Sequence, residues 1–80
     1  MIRLYVTRNC PYCARAKSLL EAKGIPFENV SLDDRHELRM QLSQQHDWRT
    51  VPMIFIDDVF IGGYDELQAL NKAGKLETAT

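Results

Sequence analysis

Apolar residues along this chain change their spacing from every second position to every third or fourth, which separates predicted strands from predicted helices. The segment IRLYV, residues 2–6, is rich in β-branched and aromatic side chains and predicts a first strand. Residues 12–23 then carry apolar side chains at helical spacing, at Cys13, Ala16, Leu19 and Leu20. Pro11 suits the first position of this helix because its φ angle is already helical, and Gly24 suits its end.

The next part of the chain repeats the strand–helix pattern more loosely. The segment FENVSL, residues 27–32, alternates and predicts a second strand. A helix follows to about His46, with Asp33 or Asp34 as its N-cap. Its apolar positions are Leu38, Met40 and Leu42. Because a strand, a helix and a strand in this order form a right-handed crossover, the first two strands are expected to be parallel.

A hairpin and a short helix complete the pattern. Residues 53–56 (MIFI) and 59–61 (VFI) predict two antiparallel strands joined by a two-residue turn. Residues 64–74 predict a last helix that ends at a glycine, and residues 75–80 predict a frayed tail. The predicted order is therefore β-α-β-α-β-β-α, an α/β fold.

Composition narrows the class of protein. Hydrophobic residues make up 45% of the chain and charged residues 26%, which is typical of a soluble globular protein, and we expect one domain over residues 1–80. The net charge of −1 gives no reason to expect nucleic acid or an anionic membrane as a partner. The longest apolar run, VPMIFI, is too short to span a membrane, and the first residues do not resemble a signal peptide, so a cytoplasmic location is expected.

The chain has two cysteines, Cys10 and Cys13, and the segment CPYC that contains them permits three interpretations. A structural disulfide would close so short a loop that it would add little stability. A zinc site needs four ligands, and the only histidines, His36 and His46, are too far apart along one predicted helix to have the usual spacing. A redox-active pair fits better, because C-x-x-C at the start of a helix after a strand is typical of dithiol redox centres. No metal is expected.

The two thiols are expected to differ. Cys10 precedes the predicted helix, whose N–H groups and dipole favour a negative charge there. Arg8, Arg15 and Lys17 add positive charge nearby. Cys13 lies in the first helical turn beside core positions and is expected to be less accessible. We therefore expect Cys10 to attack as a thiolate and Cys13 to resolve the mixed disulfide.

Three segments together carry a family resemblance: CPYC at residues 10–13, TVP at residues 50–52 and GGYDEL at residues 62–67. In this order and spacing they resemble a small dithiol glutaredoxin of the bacterial type, over residues 1 to about 76. The resemblance implies a thioredoxin-like fold, with a four-stranded mixed sheet of order 2-1-3-4 flanked by three helices. It also implies a glutathione-dependent oxidoreductase that reduces protein disulfides and glutathione mixed disulfides through a redox-active Cys10–Cys13 disulfide.

The resemblance places the middle of glutathione at residues 50–52. Pro52 is expected to be cis and to face the cysteine pair. The extended backbone at Thr50 and Val51 is then free to pair with the cysteine of glutathione, as an added short strand. Tyr12, between the two cysteines, is expected to form an exposed lip for the incoming substrate.

The γ-glutamyl end of glutathione is assigned to Gly63, Tyr64 and Asp65 by the same resemblance. Free N–H groups at a helix start would bind its carboxylate, and the side chain of Asp65 would hold its ammonium group. These residues also have a purely structural interpretation, in which Asp65 caps the last helix and Gln68 completes a capping box.

The glycine carboxylate of glutathione needs a cation, for which Arg8, Arg39 and Arg49 are the candidates. Related sequences often have a basic residue three positions before the first cysteine, whereas Arg8 stands two positions before it, so the loop is one residue shorter here. Trp48 is expected either to pack under the loop or to form part of the surface near the pocket.

Two alternatives to reduction by glutathione stay open. One is a glutaredoxin-like redoxin reduced by thioredoxin reductase, which the complete TVP and GGYDEL segments argue against. The other is an iron–sulfur carrier, a dimer whose cluster is held by Cys10 and two glutathiones, which Pro11 disfavours because it stiffens the loop. The protein is expected to be a monomer. Its expected partners are glutathione and proteins that carry disulfides or glutathione adducts. Ribonucleotide reductase is expected only at the level of the family.

Overall fold

The computed structural model describes residues 1–76, which form four strands and three helices in the expected order. They are β1 (Ile2–Val6), α1 (Pro11–Ala22), β2 (Phe27–Ser31), α2 (His36–His46), β3 (Met53–Ile56), β4 (Val59–Gly62) and α3 (Tyr64–Lys72). Every predicted strand and helix is confirmed, with ends that differ from the prediction by two residues or fewer. None of the helices within residues 1–76 is long and apolar enough to cross a membrane.

The four strands form one sheet with the order β2-β1-β3-β4. β1 pairs in parallel with β2, where Ile2 lies opposite Phe27, and antiparallel with β3, where Ile2 lies opposite Ile56. β4 pairs antiparallel with β3. Both the parallel crossover and the 2-1-3-4 order of a thioredoxin-like fold are confirmed.

Apolar side chains pack in two clusters. Alternate residues of β1 are buried together with residues of α1 and α3. The second cluster joins Leu42 of α2 to Met53 and Phe55 of β3. Because side chains alternate along a strand, the residue between these two, Ile54, belongs to the first cluster. β3 is therefore covered on both of its faces.

The register of the sheet brings three loops together at one end of the strands. Tyr5, near the end of β1, lies opposite Met53, the first residue of β3. Gly62, the last residue of β4, lies opposite Ile54. The loop after β1, the loop before β3 and the loop after β4 therefore meet at this end of the sheet. They contain Cys10, Pro52 and Gly63, respectively.

The start of α2 differs from the prediction. Its N-cap is Arg35, without a side-chain hydrogen bond, so neither Asp33 nor Asp34 caps the helix. Asp33 instead accepts hydrogen bonds from the backbone N–H of Arg8 (3.3 Å) and from the hydroxyl of Ser31 (3.1 Å). A carboxylate that has the sequence signature of a helix cap thus ties the loop before Cys10 to the end of β2.

The predicted tail also begins too early. Leu76 is only 1% exposed and belongs to the core cluster of β1, α1 and α3. The backbone N–H of Lys75 donates to the carbonyl of Leu70 at 3.0 Å, which turns the chain back after α3. Residues 77–80 of the predicted tail lie outside the described residues. The core therefore includes a residue beyond the last helix.

Replacement of Leu76 by alanine should lower the free energy of unfolding by about 2–5 kcal/mol, because it leaves a cavity in a packed cluster. Met40→Ala is the control: Met40 was predicted to be an apolar position of α2 but is 60% exposed, so its loss should change stability by about 0.5 kcal/mol or less. Urea unfolding measures both. Equal small effects would mean that the chain end does not anchor the core.

Candidate active site

Cys10 is the N-cap residue of α1. Its backbone is extended, with φ −124° and ψ 106°, and its Sγ accepts a hydrogen bond from the backbone N–H of Cys13 at 3.1 Å. Pro11 occupies the first helical turn, where its missing N–H costs nothing. The sulfur thus takes the place of the side-chain oxygen that usually caps a helix. The positive end of the helix dipole favours a negative charge on this sulfur.

Burial separates the two thiols. Cys13 is 2% exposed and packs in the core, whereas Cys10 is half-buried. Burial, and next the hydrogen bond to Cys10, raise the pKa of Cys13 to about 12, against the smaller lowering effects of a hydrogen bond with the Thr7 backbone and of the Lys17 charge. The expectation that Cys13 is the less accessible thiol is confirmed. Cys13 is a neutral thiol over the physiological pH range.

The loop before β3 faces Cys10. The Val51–Pro52 peptide bond is cis, as the family resemblance implies, and Pro52 is buried. The thiol of Cys10 donates to the carbonyl oxygen of Val51 at 3.5 Å. The backbone of Val51 therefore lies next to the reactive sulfur, while Thr50 is exposed beside it.

An open hollow lies between this loop and the start of α3. It is lined by Tyr12, Trp48, Thr50, Val51, Pro52, Gly63, Tyr64, Asp65 and Glu66. The structure thus brings together all of the residues that the sequence assigned to glutathione, apart from the three candidate arginines. Trp48 and Glu66 also line the hollow.

The start of α3 forms one wall of the hollow. Gly63 is the N-cap, and its N–H donates to Oε1 of Glu66 at 2.8 Å. The capping interpretation with Asp65 and Gln68 is therefore wrong. Glu66 was not among the assigned residues, although a glutamate three positions after an N-cap is a recognisable signal. Tyr64 and Asp65 open the helix, and N–H groups there have no carbonyl of a preceding turn to bind.

The mouth of the hollow carries two tyrosines. Tyr12 is 52% exposed, and its ring centre is 6.1 Å from that of Tyr64. The guanidinium carbon of Arg15 lies 5.2 Å from the centre of the Tyr12 ring. A cation at this distance attracts the ring face. Tyr12 is therefore held at the mouth of the hollow from two sides, in the exposed position that was expected for it.

Trp48 packs under the hollow and also lines it, so both of its expected positions are correct. Its ring makes an edge contact with Phe60, with centres 5.5 Å apart, and Phe60 in turn stacks on His46 at 4.6 Å. The Trp48 ring also lies close to Gly63, since a Cβ atom at Gly63 would be 3.4 Å from Trp48 Cζ2. Trp48 therefore connects an aromatic cluster to the N-cap of α3.

The candidate cations lie elsewhere. Arg8 and Arg39 line a second hollow, formed by the loop before Cys10 and the start of α2. Nε of Arg8 is 3.7 Å from Oδ2 of Asp33. Arg49 is exposed and lines neither of these two hollows. The candidate arginines therefore lie outside the first hollow, whose wall at α3 carries Asp65 and Glu66.

Groups that could hold a metal ion are absent from residues 1–76, where His, Cys, Asp and Glu side chains never cluster in threes. His46 stacks on an aromatic ring, and His36 is exposed at the start of α2. Neither histidine joins the cysteine pair in such a group.

Fold and site together define a class, namely thioredoxin-like domains with a dithiol at the start of the first helix and a cis-proline loop opposite it. The chain belongs to the glutaredoxin family, whose model matches residues 2–61. It is 46% identical over 74 residues to a glutaredoxin of Pseudomonas aeruginosa, a match that covers 92% of this chain and 88% of that protein. It is 41% identical over 76 residues to glutaredoxin 3 of Escherichia coli, a match that covers 95% of this chain and 92% of that protein.

Solved structures agree with this assignment. The buckwheat glutaredoxin–glutathione complex superimposes with a TM-score of 0.93 at 31% sequence identity, covering 98% of this chain and 74% of that one. Membership of the family makes the chain a thiol–disulfide oxidoreductase.

The raised pKa of Cys13 predicts how a variant that retains only this thiol will react. In Cys10→Ser the dominant cause of the shift, burial, is kept, so folded protein should resist iodoacetamide up to about pH 9, where an ordinary cysteine is largely thiolate. Reactivity should appear only at higher pH. The same variant unfolded in urea is the control and should react readily. Equal rates for folded and unfolded protein would contradict the burial of this thiol.

Proposed function

We propose that the protein is a glutathione-dependent oxidoreductase that reduces protein disulfides and glutathione mixed disulfides, with Cys10 as the nucleophile. One observation carries this proposal: the Cys10 thiol lies 3.5 Å from the Val51 carbonyl, beside a hollow whose far wall is the start of α3. A disulfide bound along this hollow would present its sulfur to Cys10.

The groups of the hollow match two of the three residues of glutathione, namely the cysteine and the γ-glutamyl residue. The backbone of Val51 can pair with the cysteine residue of the ligand. The first N–H groups of α3 can bind the γ-glutamyl carboxylate, and the side chain of Asp65 can hold the ammonium group. The glutathione complex of the buckwheat relative supports the same ligand here.

We assign the glycine carboxylate of the ligand to the second hollow, which Arg8 and Arg39 share. It includes the loop that leads into Cys10, so a tripeptide whose cysteine is at Cys10 lies next to it. Arg8 already has Asp33 as an ion-pair partner at 3.7 Å. Arg39 has no ion pair with any other residue in the part of the chain that is described, so it is the stronger candidate of the two.

Removal of glutathione from a protein needs only Cys10. Its thiolate attacks the glutathione sulfur, the S–S bond breaks, and the protein thiolate leaves and takes up a proton. A second glutathione thiolate then attacks the mixed disulfide on Cys10, which releases glutathione disulfide and restores the Cys10 thiolate. Both steps are thiol–disulfide exchanges, so two electrons pass from glutathione to the protein substrate.

Reduction of a protein disulfide also needs Cys13. After Cys10 has attacked, Cys13 must lose its proton and attack the Cys10 sulfur, which leaves a Cys10–Cys13 disulfide. The substrate thiolate that departs can take up this proton, since the high pKa of Cys13 keeps the thiol protonated until then. Two glutathione molecules then reduce the disulfide. Glutaredoxins have potentials of about −200 to −230 mV, close to that of the glutathione pool, so the cycle follows that pool.

We place this activity in the cytoplasm, in a monomer that serves disulfide-containing and glutathionylated proteins. The small net charge of −1 gives no preference for a strongly charged partner. Ribonucleotide reductase is a candidate substrate from the family alone.

The source of electrons provides the direct test. Oxidised protein is mixed either with glutathione, glutathione reductase and NADPH, or with thioredoxin reductase and NADPH. We expect rapid NADPH consumption in the first mixture only, because the hollow at Val51 and α3 fits glutathione. Fast reduction by thioredoxin reductase, with none by glutathione, would replace the proposal by the flavoprotein-reduced alternative.

The roles of the two cysteines predict different effects of serine substitutions. Cys10→Ser should abolish all redox activity, because a hydroxyl is a far weaker nucleophile at neutral pH. Cys13→Ser should keep the removal of glutathione from a glutathionylated peptide, but should lose most reduction of a protein disulfide. Both assays are run on both variants. If Cys10→Ser retains deglutathionylation and Cys13→Ser loses it, the roles are reversed.

A further inference from the structure

Glu66 reaches back from the first turn of α3 over the two glycines that precede the helix. Its Oε1 accepts the hydrogen bond from the Gly63 N–H at 2.8 Å. Its side chain also lies across Gly62, where a Cβ atom would be only 2.6 Å from Glu66 Cγ and 2.8 Å from Oε1. Gly62 has φ +123°, in the region that favours glycine. The glycine pair and the glutamate therefore fit as one unit.

Gly63 connects this unit to the opposite wall of the hollow. A Cβ atom at Gly63 would be 3.4 Å from the carbonyl oxygen of Pro52 and 3.4 Å from Cζ2 of Trp48. Its own carbonyl accepts the N–H of Leu67 at 3.1 Å, and Leu67 is fully buried. The position of Gly63 therefore sets the separation between the cis-proline loop and the first N–H groups of α3.

We infer that Glu66 is a positioning residue for glutathione, which acts through its hydrogen bond to Gly63 rather than through its charge on the ligand. This inference rests on the proposed function of the hollow. The carboxylate fixes the Gly62–Gly63 turn, and the turn holds the N–H groups of Tyr64 and Asp65 at a set distance from the backbone of Val51. Both ends of the γ-glutamyl-cysteine unit would bind to groups placed in this way.

A comparison of the two neighbouring acids separates these two modes of action. Asp65 is exposed and is proposed to hold the ammonium group by its charge, whereas Glu66 already accepts a backbone hydrogen bond. Glutamine at position 66 keeps the acceptor oxygen and loses the charge, and asparagine at position 65 does the same there. We therefore expect Glu66→Gln to restore most of what Glu66→Ala loses, and Asp65→Asn to behave like Asp65→Ala.

The measured quantity is kcat/KM for a glutathionylated peptide, which reports binding together with attack by Cys10. Glu66→Ala should lower it about tenfold, the order expected when a hydrogen bond to a charged group is lost. Glu66→Gln should lower it by about threefold or less, since a neutral acceptor makes a weaker bond. Gln68→Ala, on the same helix but outside the hollow, is the matched control and should have little effect.

Two further measurements exclude a general structural effect. The single-turnover rate of the reduced protein with bis(2-hydroxyethyl) disulfide, which has no γ-glutamyl group, should change by about twofold or less in Glu66→Ala. The urea midpoint is recorded for each variant, because loss of a cap also weakens the helix. A lower midpoint without a change in kcat/KM for the glutathionylated peptide would mean that Glu66 only caps the helix, and would overturn the inference.

The remaining outcomes each decide one question. If Glu66→Gln is as impaired as Glu66→Ala, the charge of Glu66 acts on the ligand and the positioning role is wrong. If both disulfides lose rate equally in Glu66→Ala, the effect lies at Cys10, which also overturns the inference. If the unsubstituted protein shows no preference for the glutathionylated peptide over bis(2-hydroxyethyl) disulfide, the proposed function itself fails, independently of any variant.

Discussion

The pairing of β1 with β2 on one side and β3 on the other is the constraint on which the rest of the structure depends. The two pairings run in opposite senses, parallel to β2 and antiparallel to β3. The last residue of β1 and the first residue of β3 therefore lie at the same end of the sheet. The hairpin returns the last residue of β4 to that end. Three loops that are far apart in sequence form one site because of this register. The strands next to these loops consequently determine where Cys10, Pro52 and Gly63 lie relative to one another.

Local pattern was sufficient to predict the strands and helices, because elements such as β1 and α1 bury residues at a spacing that is visible in the sequence, and turn residues mark the ends of the others. The cysteine pair and its asymmetry were also predictable, since Cys13 falls on the apolar face of α1 with Ala16 and Leu20, whereas Cys10 precedes the helix. The cis form of Pro52 came only from the family resemblance, because nothing local to residues 50–52 distinguishes it. The sheet order came from the same source.

Two of the errors, at Asp33 and Leu76, share a physical cause, which is that a side chain can pack against or bind a distant partner instead of a local one. Asp33 has the sequence signature of a helix cap, but it binds the backbone of Arg8. Leu76 follows a glycine that ends a helix, and the burial of a single apolar residue there depends on a core that lies far away in sequence. Glu66 was hidden for the opposite reason: its partner Gly63 is local, but glycine provides no side chain to signal that it is an N-cap.

The location of Trp48 has a practical consequence. It is the only tryptophan of the chain, its indole Nε1 is buried, and its ring lies between Phe60 and Gly63. Indole emission dominates the fluorescence of a protein that otherwise has only tyrosine and phenylalanine, and it responds to local polarity. The chain therefore contains a built-in optical probe at the wall of its own hollow, one that needs no label and whose surroundings a molecule bound in the hollow would change.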